Sequence, residues 1–196
     1  MQVRVRMCEE GGSEGNSSTK ERKVVAVAHC ILNQSTRWWF KGETSSLSSG
    51  MVKEVVDHLS SLGIGVLQMP CPEFGFYGNP RPSMTKDDYE KASGFKAHCR
   101  RVAKGFCNDL EDIKRLGRKP RVKILGIVGV EHSPSCAVEE TPRKTNKGTV
   151  YRKERGIFME ELEREVRKRD LGIPLIGVNI HSPKDELLRM IKFFKE

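Results

Sequence analysis

Three cysteines each close a segment that has the composition of a buried strand. VVAVAHC ends at Cys30, GIGVLQMPC at Cys71 and KILGIVGVEHSPSC at Cys136. In an open parallel α/β sheet the carboxyl ends of the strands lie along one edge, so thiols at three such ends can converge on one point. Thiolates are soft ligands that bind zinc, copper(I) or iron–sulfur clusters. The residue types therefore indicate a metal centre at this edge.

The spacing of these cysteines distinguishes two kinds of metal site. A structural zinc site normally takes four ligands, often in CxxC pairs, and the chain contains no CxxC. Three cysteines far apart in the chain could instead hold a [4Fe-4S] cluster by three irons and leave the fourth iron open to a substrate. The alternative is that each thiol is only a small buried hydrophobe. We expect that simpler role for Cys99 and Cys107, which lie about two turns apart on one predicted helix.

Polar side chains beside the cysteines could move protons. Glu73 follows Cys71 by two positions and could activate water or protonate a leaving sulfur, but it could equally cap a loop or pair with Arg81. Ser133 and Ser135 could donate hydrogen bonds to a cluster sulfide or a heterocycle, or could bind only their own turn. The candidate catalytic residues are therefore Glu73, Ser133 and Ser135.

A second group of side chains could orient a substrate. Arg37 could bind a carbonyl or phosphate oxygen, and the Trp38-Trp39-Phe40 segment could stack on a flat ring, although two adjacent tryptophans more commonly belong to the core. Arg81, between two prolines, could bind substrate or brace its loop. His132 adds a titratable group at the same strand end as Glu131. The candidate substrate-binding residues are Arg37, Arg81 and His132.

Alternating strand and helix patterns predict the elements that must position these residues. Short apolar runs predict buried parallel strands at 24–28, 64–69, 122–130 and 174–180. Helical periodicity predicts helices at about 51–62, 85–116 with candidate breaks at Gly94 and Gly105, 156–172 and 182–196. The alternation predicts an α/β fold: one doubly wound, mainly parallel sheet of four or five strands with helices on both faces, in a flavodoxin-like or Rossmann-like three-layer arrangement.

Length and composition limit the organisation of the chain. Its 196 residues suit one domain, which we place at 23–196 after a disordered leader at 1–22 that is rich in Gly, Ser and charge. The leader lacks the apolar stretch of a secretory signal, and no apolar run approaches the roughly 20 residues of a membrane span. Six cysteines in a chain of this type do not resemble a secreted disulfide scaffold, so we expect a cytoplasmic protein. The oligomeric state is not determined by the sequence.

Charge supports a rival hypothesis. The formal net charge is +9, and part of the excess lies in RKTNKGTVYRKER at 143–155. Such a segment could attract phosphate backbones, or it could be an ordinary solvated surface, which is the more common outcome. The rival hypothesis is a nucleic-acid-associated protein whose cysteines only pack or hold a structural metal.

Three motifs together resemble a known family. They are similar, in the same order, to motifs of the small iron–sulfur desulfurases typified by 2-thiouracil desulfurase: HCILNQSTR at 29–37, CPEFGFYGNPRP at 71–82 and SPSC at 133–136. The resemblance spans roughly residues 24–180. It implies that Cys30, Cys71 and Cys136 are the ligands of a [4Fe-4S] cluster, and Arg37 falls where the arginine of the first motif would stand.

The activity implied by the resemblance is a non-redox removal of sulfur from a thiocarbonyl compound. The open iron would bind the soft sulfur, water would attack the carbon and the sulfur would leave as hydrosulfide. The substrate would be a thiolated nucleobase or nucleotide, with thiolated RNA as a further candidate. The chain departs from the family pattern at Asn33, at Trp38-Trp39-Phe40 and at Ala137. These departures leave the substrate open and keep a third alternative, a cluster-bearing scaffold or sulfur carrier without catalysis.

Overall fold

The computed structural model of the protein describes residues 21–40, 43–44, 50–182, 189–190 and 193. The elements in chain order are β1 (Arg22–Ala28), α1 (His29–Leu32), a 3-10 turn (Gln34–Thr36), β2 (Trp39–Phe40), β3 (Glu43–Thr44), α2 (Lys53–Ser61), β4 (Gly65–Met69), α3 (Pro72–Tyr77), α4 (Lys86–Lys91), α5 (Phe95–Leu116), β5 (Val122–Val130), β6 (Glu140–Thr145), β7 (Gly148–Lys153), α6 (Ile157–Lys168) and β8 (Leu175–Val178).

Four of these strands form one parallel sheet in the order β4-β1-β5-β8. β1 lies at its centre, where Val25 pairs with Val66 of β4 and Val27 pairs with Val128 of β5. Both faces of β1 are covered, so Val25, Ala26 and Val27 are fully buried. The α/β class and the parallel sheet predicted from the sequence are confirmed. The direction of winding changes between β1 and β5, which is where such sheets bind ligands.

The helices differ from the sequence pattern mainly at their boundaries. The predicted helix at 85–116 is two helices, because Gly94 takes a left-handed conformation (φ 84°) immediately before α5. Gly105 does not interrupt α5, which is continuous over 22 residues. α5 packs against α6 and fully buries Cys99 and Cys107. The expectation that these two cysteines belong to the core is therefore confirmed.

Two of the three candidate ligands lie in helical turns rather than in strands. β1 ends at Ala28, and Cys30 belongs to the short helix α1. Cys71 is the N-cap of α3, in a segment where the sequence predicts only a turn-rich loop. Tertiary packing explains this six-residue helix, since the ring of Phe76 meets the ring of Phe95 edge-on at a centroid distance of 5.3 Å.

The basic segment at 143–155 forms most of an antiparallel hairpin that the sequence analysis did not predict. β6 and β7 pair from Glu140 and Lys153 at the base to Thr145 and Gly148 at the tip. Gly148 has a φ of 116°, a conformation that favours glycine. All six residues of β7 are exposed. Exposure on both faces removes the alternation of apolar and polar residues that reveals a half-buried strand.

Some expectations lie outside the described residues. The leader at 1–22 does so except for its last two residues, and Arg22 already belongs to β1. Most of the helix predicted at 182–196 is likewise outside, although Met190, which is described, is fully buried. No helix within the described ranges is long and apolar enough to cross a membrane.

Candidate metal centre

A cavity of about 780 Å³ opens at the carboxyl edge of the sheet, and Cys30, Cys71 and Cys136 all line it. They come from α1 after β1, from the N-cap of α3 after β4, and from the loop after β5. Cys136 is buried, and the other two are half-buried. The structure thus brings the three cysteines together beside the point where the direction of winding changes.

A shared hydrogen bond gives the thiols of Cys30 and Cys71 different proton affinities. The bond raises the pKa of Cys30 well above its ordinary value, with burial as the second cause, and it lowers the pKa of Cys71. The backbone N–H of Phe74 also donates to Cys71 Sγ at 3.3 Å, which favours the thiolate there. Burial is the main reason that the pKa of Cys136 is raised well above its usual value. Metal binding at these sulfurs would therefore release protons.

The loop that carries Cys136 is held by Ser133. Ser133 Oγ accepts the backbone N–H of Cys136 at 3.1 Å and that of Ser135 at 3.4 Å. The backbone N–H of Val130 donates to the carbonyl of Cys136 at 3.1 Å. His132 has a φ of 63°, the left-handed conformation that lets the chain turn back after β5. Ser133 therefore binds its own turn, which is one of the two roles that the sequence suggested for the serines.

Glu73 connects two of the cysteine segments. Ser135 Oγ donates to Glu73 Oε1 at 2.5 Å, and Ser133 Oγ lies 3.5 Å from the same oxygen, at the limit for a hydrogen bond. The hydroxyl of Tyr89 donates to Glu73 Oε2 at 3.0 Å. Burial, and then the charge of Glu73, raises the pKa of Tyr89, so its hydroxyl remains a donor. Ser135 Oγ is also 3.4 Å from Cys136 Sγ, so its one proton can face either the carboxylate or the sulfur.

Arg81 is a buried residue that braces its own loop. Its Nη1 donates to three oxygens, the carbonyl of Thr36 at 3.0 Å, the carbonyl of Gly78 at 3.1 Å and Oδ1 of Asn79 at 2.7 Å. Its Nη2 lies 3.8 Å from Glu73 Oε2. Arg81 also lines the cavity. The guanidinium therefore fixes the loop and one oxygen of Glu73 from the same position.

Basic and aromatic side chains form another part of the wall. Arg37, Trp38 and His132 line the cavity, with Trp38 half-buried. Trp39 is 44% exposed, so the expectation that adjacent tryptophans belong to the core is wrong for this residue. The ring of His132 lies over the ring of Tyr151, with centroids 4.1 Å apart. Tyr151 brings the β6–β7 hairpin to the mouth of the cavity.

The hairpin is anchored by ion pairs. Arg143 donates to Glu154 Oε1 at 2.5 Å and to Glu90 Oε2 at 2.6 Å, which ties β6 to α4. Lys86, a buried lysine of α4, donates to Glu154 Oε2 at 3.1 Å. The hydrogen bonds from Arg143 are the largest cause that lowers the pKa of Glu154, and the bond from Lys86 lowers it further. Burial acts in the opposite direction, and the resulting pKa is about 2.

Only part of the basic segment faces solvent as free charge. Arg143 is paired as described, and Arg155 Nε lies 2.6 Å from Glu163 Oε2. Lys147, Arg152 and Lys153 are exposed on the hairpin. The segment is therefore partly an anchoring device and partly a solvated cationic surface.

Three contributors to the site were missed from the sequence. Tyr89 and Tyr151 come from α4 and β7, outside the three motifs, and no local pattern links them to Glu73 or His132. Glu131 was noted only as a titratable group, yet it immediately follows the most apolar strand. A carboxylate at such a position needs several hydrogen-bond partners, and that requirement is a usable signal.

The donor set fits an iron–sulfur cluster in its chemistry. Three thiols line one cavity, and thiolates are the usual ligands of such clusters. The N–H of Phe74 beside Cys71 and the hydroxyl of Ser135 beside Cys136 are donors of the kind that tune cluster sulfurs. Across the part of the chain that the structure describes, no group of three His, Cys, Asp or Glu side chains is arranged to hold a single metal ion.

Comparison with known proteins supports the fold. No family model matches the chain. The uncharacterized protein MJ0003 of Methanocaldococcus jannaschii is 28% identical over 167 residues, which is 85% of this chain and 90% of that protein. A solved structure of a [4Fe-4S]-dependent thiouracil desulfidase, TudS, is similar with a TM-score of 0.50 and 19% identity, over 88% of this chain and 97% of that chain. The protein therefore has the α/β fold of that desulfidase, which confirms the resemblance noted in the sequence at the level of the fold.

Proposed function

We propose that this protein is an iron–sulfur-dependent desulfurase that converts a thiocarbonyl compound, such as a thiolated nucleobase or nucleotide, into the carbonyl compound and sulfide. The observation that carries the proposal is the meeting of Cys30, Cys71 and Cys136 on one cavity that Glu73 also lines. The similarity of the fold to that of TudS supports it. The three motifs of the sequence support it independently of the fold.

In this proposal Cys30, Cys71 and Cys136 hold a [4Fe-4S] cluster. A cluster bound by three cysteines supplies an open iron, a Lewis acid that attracts soft sulfur and polarises a thiocarbonyl bond. Cys136 and Ser135 are buried, which shields one side of the site from water, and Tyr151 of the hairpin lines the cavity. Exclusion of solvent strengthens every hydrogen bond made there.

Glu73 and Ser135 are the proposed proton carriers. Water adds to the thiocarbonyl carbon and gives one proton to Glu73 Oε1. The carbon–sulfur bond then breaks. The sulfur takes the proton that Glu73 returns and the proton that the added hydroxyl loses as the carbonyl forms, and it leaves as hydrogen sulfide. One thiocarbonyl and one water thus give one carbonyl and one hydrogen sulfide, and no electron is transferred. Tyr89 and Arg81 hold Glu73 Oε2, which leaves Oε1 to exchange protons with Ser135.

Substrate contacts are assigned to the remaining wall of the cavity. Arg37 and His132 can donate hydrogen bonds to a ring oxygen or to a phosphate, and Trp38 can stack on a flat heterocycle. Ser133 keeps the cysteine loop in shape and stands close to the same carboxylate. Arg81 contributes chiefly by fixing Glu73 and its own loop.

The test compares cluster content and sulfide release in matched variants. The protein is purified without oxygen and reconstituted with iron and sulfide. About four irons and four sulfides per chain and a broad absorption band near 400 nm are expected. Cys136→Ala should lose the cluster. Cys107 is a buried residue of α5, so Cys107→Ala should keep the cluster. Sulfide release is then measured with 2-thiouracil, 4-thiouracil and their nucleotides.

Two results would refute parts of this function. A colourless chain without iron would remove the cluster and leave the nucleic-acid-associated protein as the better account. An intact cluster without sulfide release from any thiolated substrate would favour the scaffold or sulfur carrier. Only cluster binding together with release that depends on Glu73 supports the enzyme.

Thiolated RNA is a second candidate substrate, favoured by the charge of the hairpin. Lys147 and Lys153 are exposed on the same hairpin whose Tyr151 lines the cavity. For single-stranded RNA, a plot of the logarithm of the binding constant against the logarithm of salt concentration has a negative slope. Each cation that contacts a phosphate makes this slope steeper by about 0.7. Lys147→Ala with Lys153→Ala should therefore weaken RNA binding and reduce that slope. An unchanged slope would exclude the hairpin as an RNA contact.

A further inference from the structure

Glu131 is a buried carboxylate whose hydrogen bonds, within the described residues, come from backbone N–H groups. It lies directly after β5 and is 7% exposed. Oε1 accepts the backbone N–H of Val138 at 3.1 Å and that of Glu139 at 3.0 Å, and Oε2 accepts the N–H of Glu140 at 2.8 Å. Three consecutive N–H groups therefore converge on one carboxylate. Hydrogen bonds to a charged acceptor are about twice as strong as those between neutral groups.

These bonds close a loop whose middle carries Cys136. The loop leaves the end of β5 at Glu131, and the N–H of Val138 bonds back to the Glu131 carboxylate. Within the loop, Ser133 Oγ accepts the N–H of Cys136. The N–H of Val130 binds the carbonyl of Cys136 at 3.1 Å. Ser133 therefore fixes the segment before the cysteine, and Glu131 fixes the segment after it. The N–H of His132 also donates to the carbonyl of Glu140 at 3.1 Å, and Arg155 Nη1 donates to the carbonyl of Val138 at 2.6 Å. The carboxylate of Glu131 therefore binds the N–H groups of this segment, and other groups bind its carbonyls.

The neighbouring strand leaves space for this carboxylate. A Cβ atom on Gly177 of β8 would lie 1.4 Å from Glu131 Oε1, far inside any allowed contact. The backbone N–H of Glu131 donates to the carbonyl of Val178 at 3.0 Å, which fixes the direction of the side chain. The place of the carboxylate is thus set by β5 and β8 together and not by the loop alone. A rigid sheet provides the reference to which the cysteine loop is tied.

We propose that Glu131 is a positioning residue, whose carboxylate gathers the N–H groups of residues 138–140 and so holds the Cys136 loop in its ligand-ready form before any cluster is bound. The inference deepens the desulfurase proposal and rests on it for the role of Cys136. Glu131 also lines the cavity, but both of its carboxylate oxygens accept backbone N–H groups of the loop, so its assigned role is to act through the loop. Its consequence is pre-organisation, since a loop already in place loses little freedom when its ligand binds.

The test uses the cluster-free full chain and an isosteric change, Glu131→Gln. The amide keeps one acceptor oxygen but turns an N–H₂ group toward one or more of the three backbone donors. Amide hydrogen exchange of Val138 and Glu140 should become at least tenfold faster. Alkylation of Cys136 should rise at least tenfold relative to alkylation of Cys107 in the same molecule, because a global loss of stability would expose both cysteines.

Glu161→Gln is the matched control. Glu161 is also a buried carboxylate, at 1% exposure, but its carboxylate pairs with Arg100 and Arg164 rather than with the N–H groups of residues 138–140. It should leave the alkylation ratio of Cys136 to Cys107 unchanged. Gly177→Ala is an independent second variant that displaces the carboxylate without altering its charge, and it should raise the same ratio.

The outcomes separate this inference from the desulfurase proposal. Unchanged exchange at residues 138–140 and an unchanged alkylation ratio in Glu131→Gln would overturn the inference, whether or not the wild-type protein binds iron. Faster exchange with an unchanged alkylation ratio would overturn it as well, because the Cys136 loop would then keep its form without the carboxylate. A wild-type chain without iron would overturn the desulfurase function, while the exchange data would still decide whether Glu131 holds the loop.

Discussion

Replacing Glu154 with Gln should destabilise the protein at neutral pH and much less in acid. Glu154 receives bonds from Arg143 and Lys86, and these lower its pKa from 4.5 to about 2. A carboxyl whose pKa is lower in the folded state stabilises the fold above its unfolded pKa and loses that contribution as pH falls toward the folded value. The window for this effect is therefore from about pH 5 down to about pH 2.

The magnitude follows from the size of the shift. Each pKa unit corresponds to about 1.4 kcal/mol, so the shift of Glu154 corresponds to about 3 kcal/mol of unfolding free energy at pH 7. The same relation leaves about half of that free energy at pH 3. Glu154→Gln should thus lower the unfolding free energy by about 3 kcal/mol at pH 7 and by about half of that at pH 3.

Urea unfolding at pH 7, 5 and 3 measures this difference, because urea leaves ion pairs unscreened. Glu54→Gln is the control, since Glu54 is exposed on α2 and its replacement should change stability by less than about 0.5 kcal/mol at every pH. An equal loss at pH 7 and pH 3 in Glu154→Gln would refute the reasoning, because the effect would then arise from packing rather than from charge.

Three further changes test the site. Tyr89→Phe removes the hydroxyl that donates to Glu73 Oε2 at 3.0 Å while keeping the buried ring, and it should lower kcat roughly tenfold with an unchanged iron content, as one hydrogen bond to a charged group is worth about 1.5–3 kcal/mol. Ser135→Ala should lower kcat by a similar factor and shift the visible spectrum of the cluster-loaded protein. An unchanged spectrum would show that the Ser135 hydroxyl does not bond to the sulfur of Cys136. Gly156→Ala would put a Cβ 2.4 Å from the carbonyl carbon of Ser135, so it should cost about 1–3 kcal/mol in urea unfolding; equal stability would show that α6 can shift.

Much of the fold could be read from the sequence because its signals are local. The apolar runs at β1 and β5 predicted buried strands, and both are buried in the sheet. The glycine at position 94 predicted a break, and α5 begins there. The hairpin of β6 and β7 could not be read in the same way, because its exposed residues lack the alternation that a buried face imposes.

In the candidate site too, the features that depend on local sequence could be predicted, and those that depend on distant residues could not. The positions of Cys30, Cys71 and Cys136 near one sheet edge follow from their places after predicted strands. The partners of the basic segment do not, since Arg143 is neutralised by Glu90 of α4, which lies far away in the chain. The sequence therefore indicated charge that could bind nucleic acid where the structure shows part of that charge used as an anchor.

By itself, the sequence determined the alternation of strands and helices and the chemistry of the three thiols, because burial periodicity and ligand softness are properties of single segments and single side chains. Only the tertiary structure decided that Tyr89, Arg81 and Ser135 meet on the carboxylate of Glu73. Hydrogen bonds form over about 3 Å, and no local pattern records which distant groups the sheet and helices bring that close.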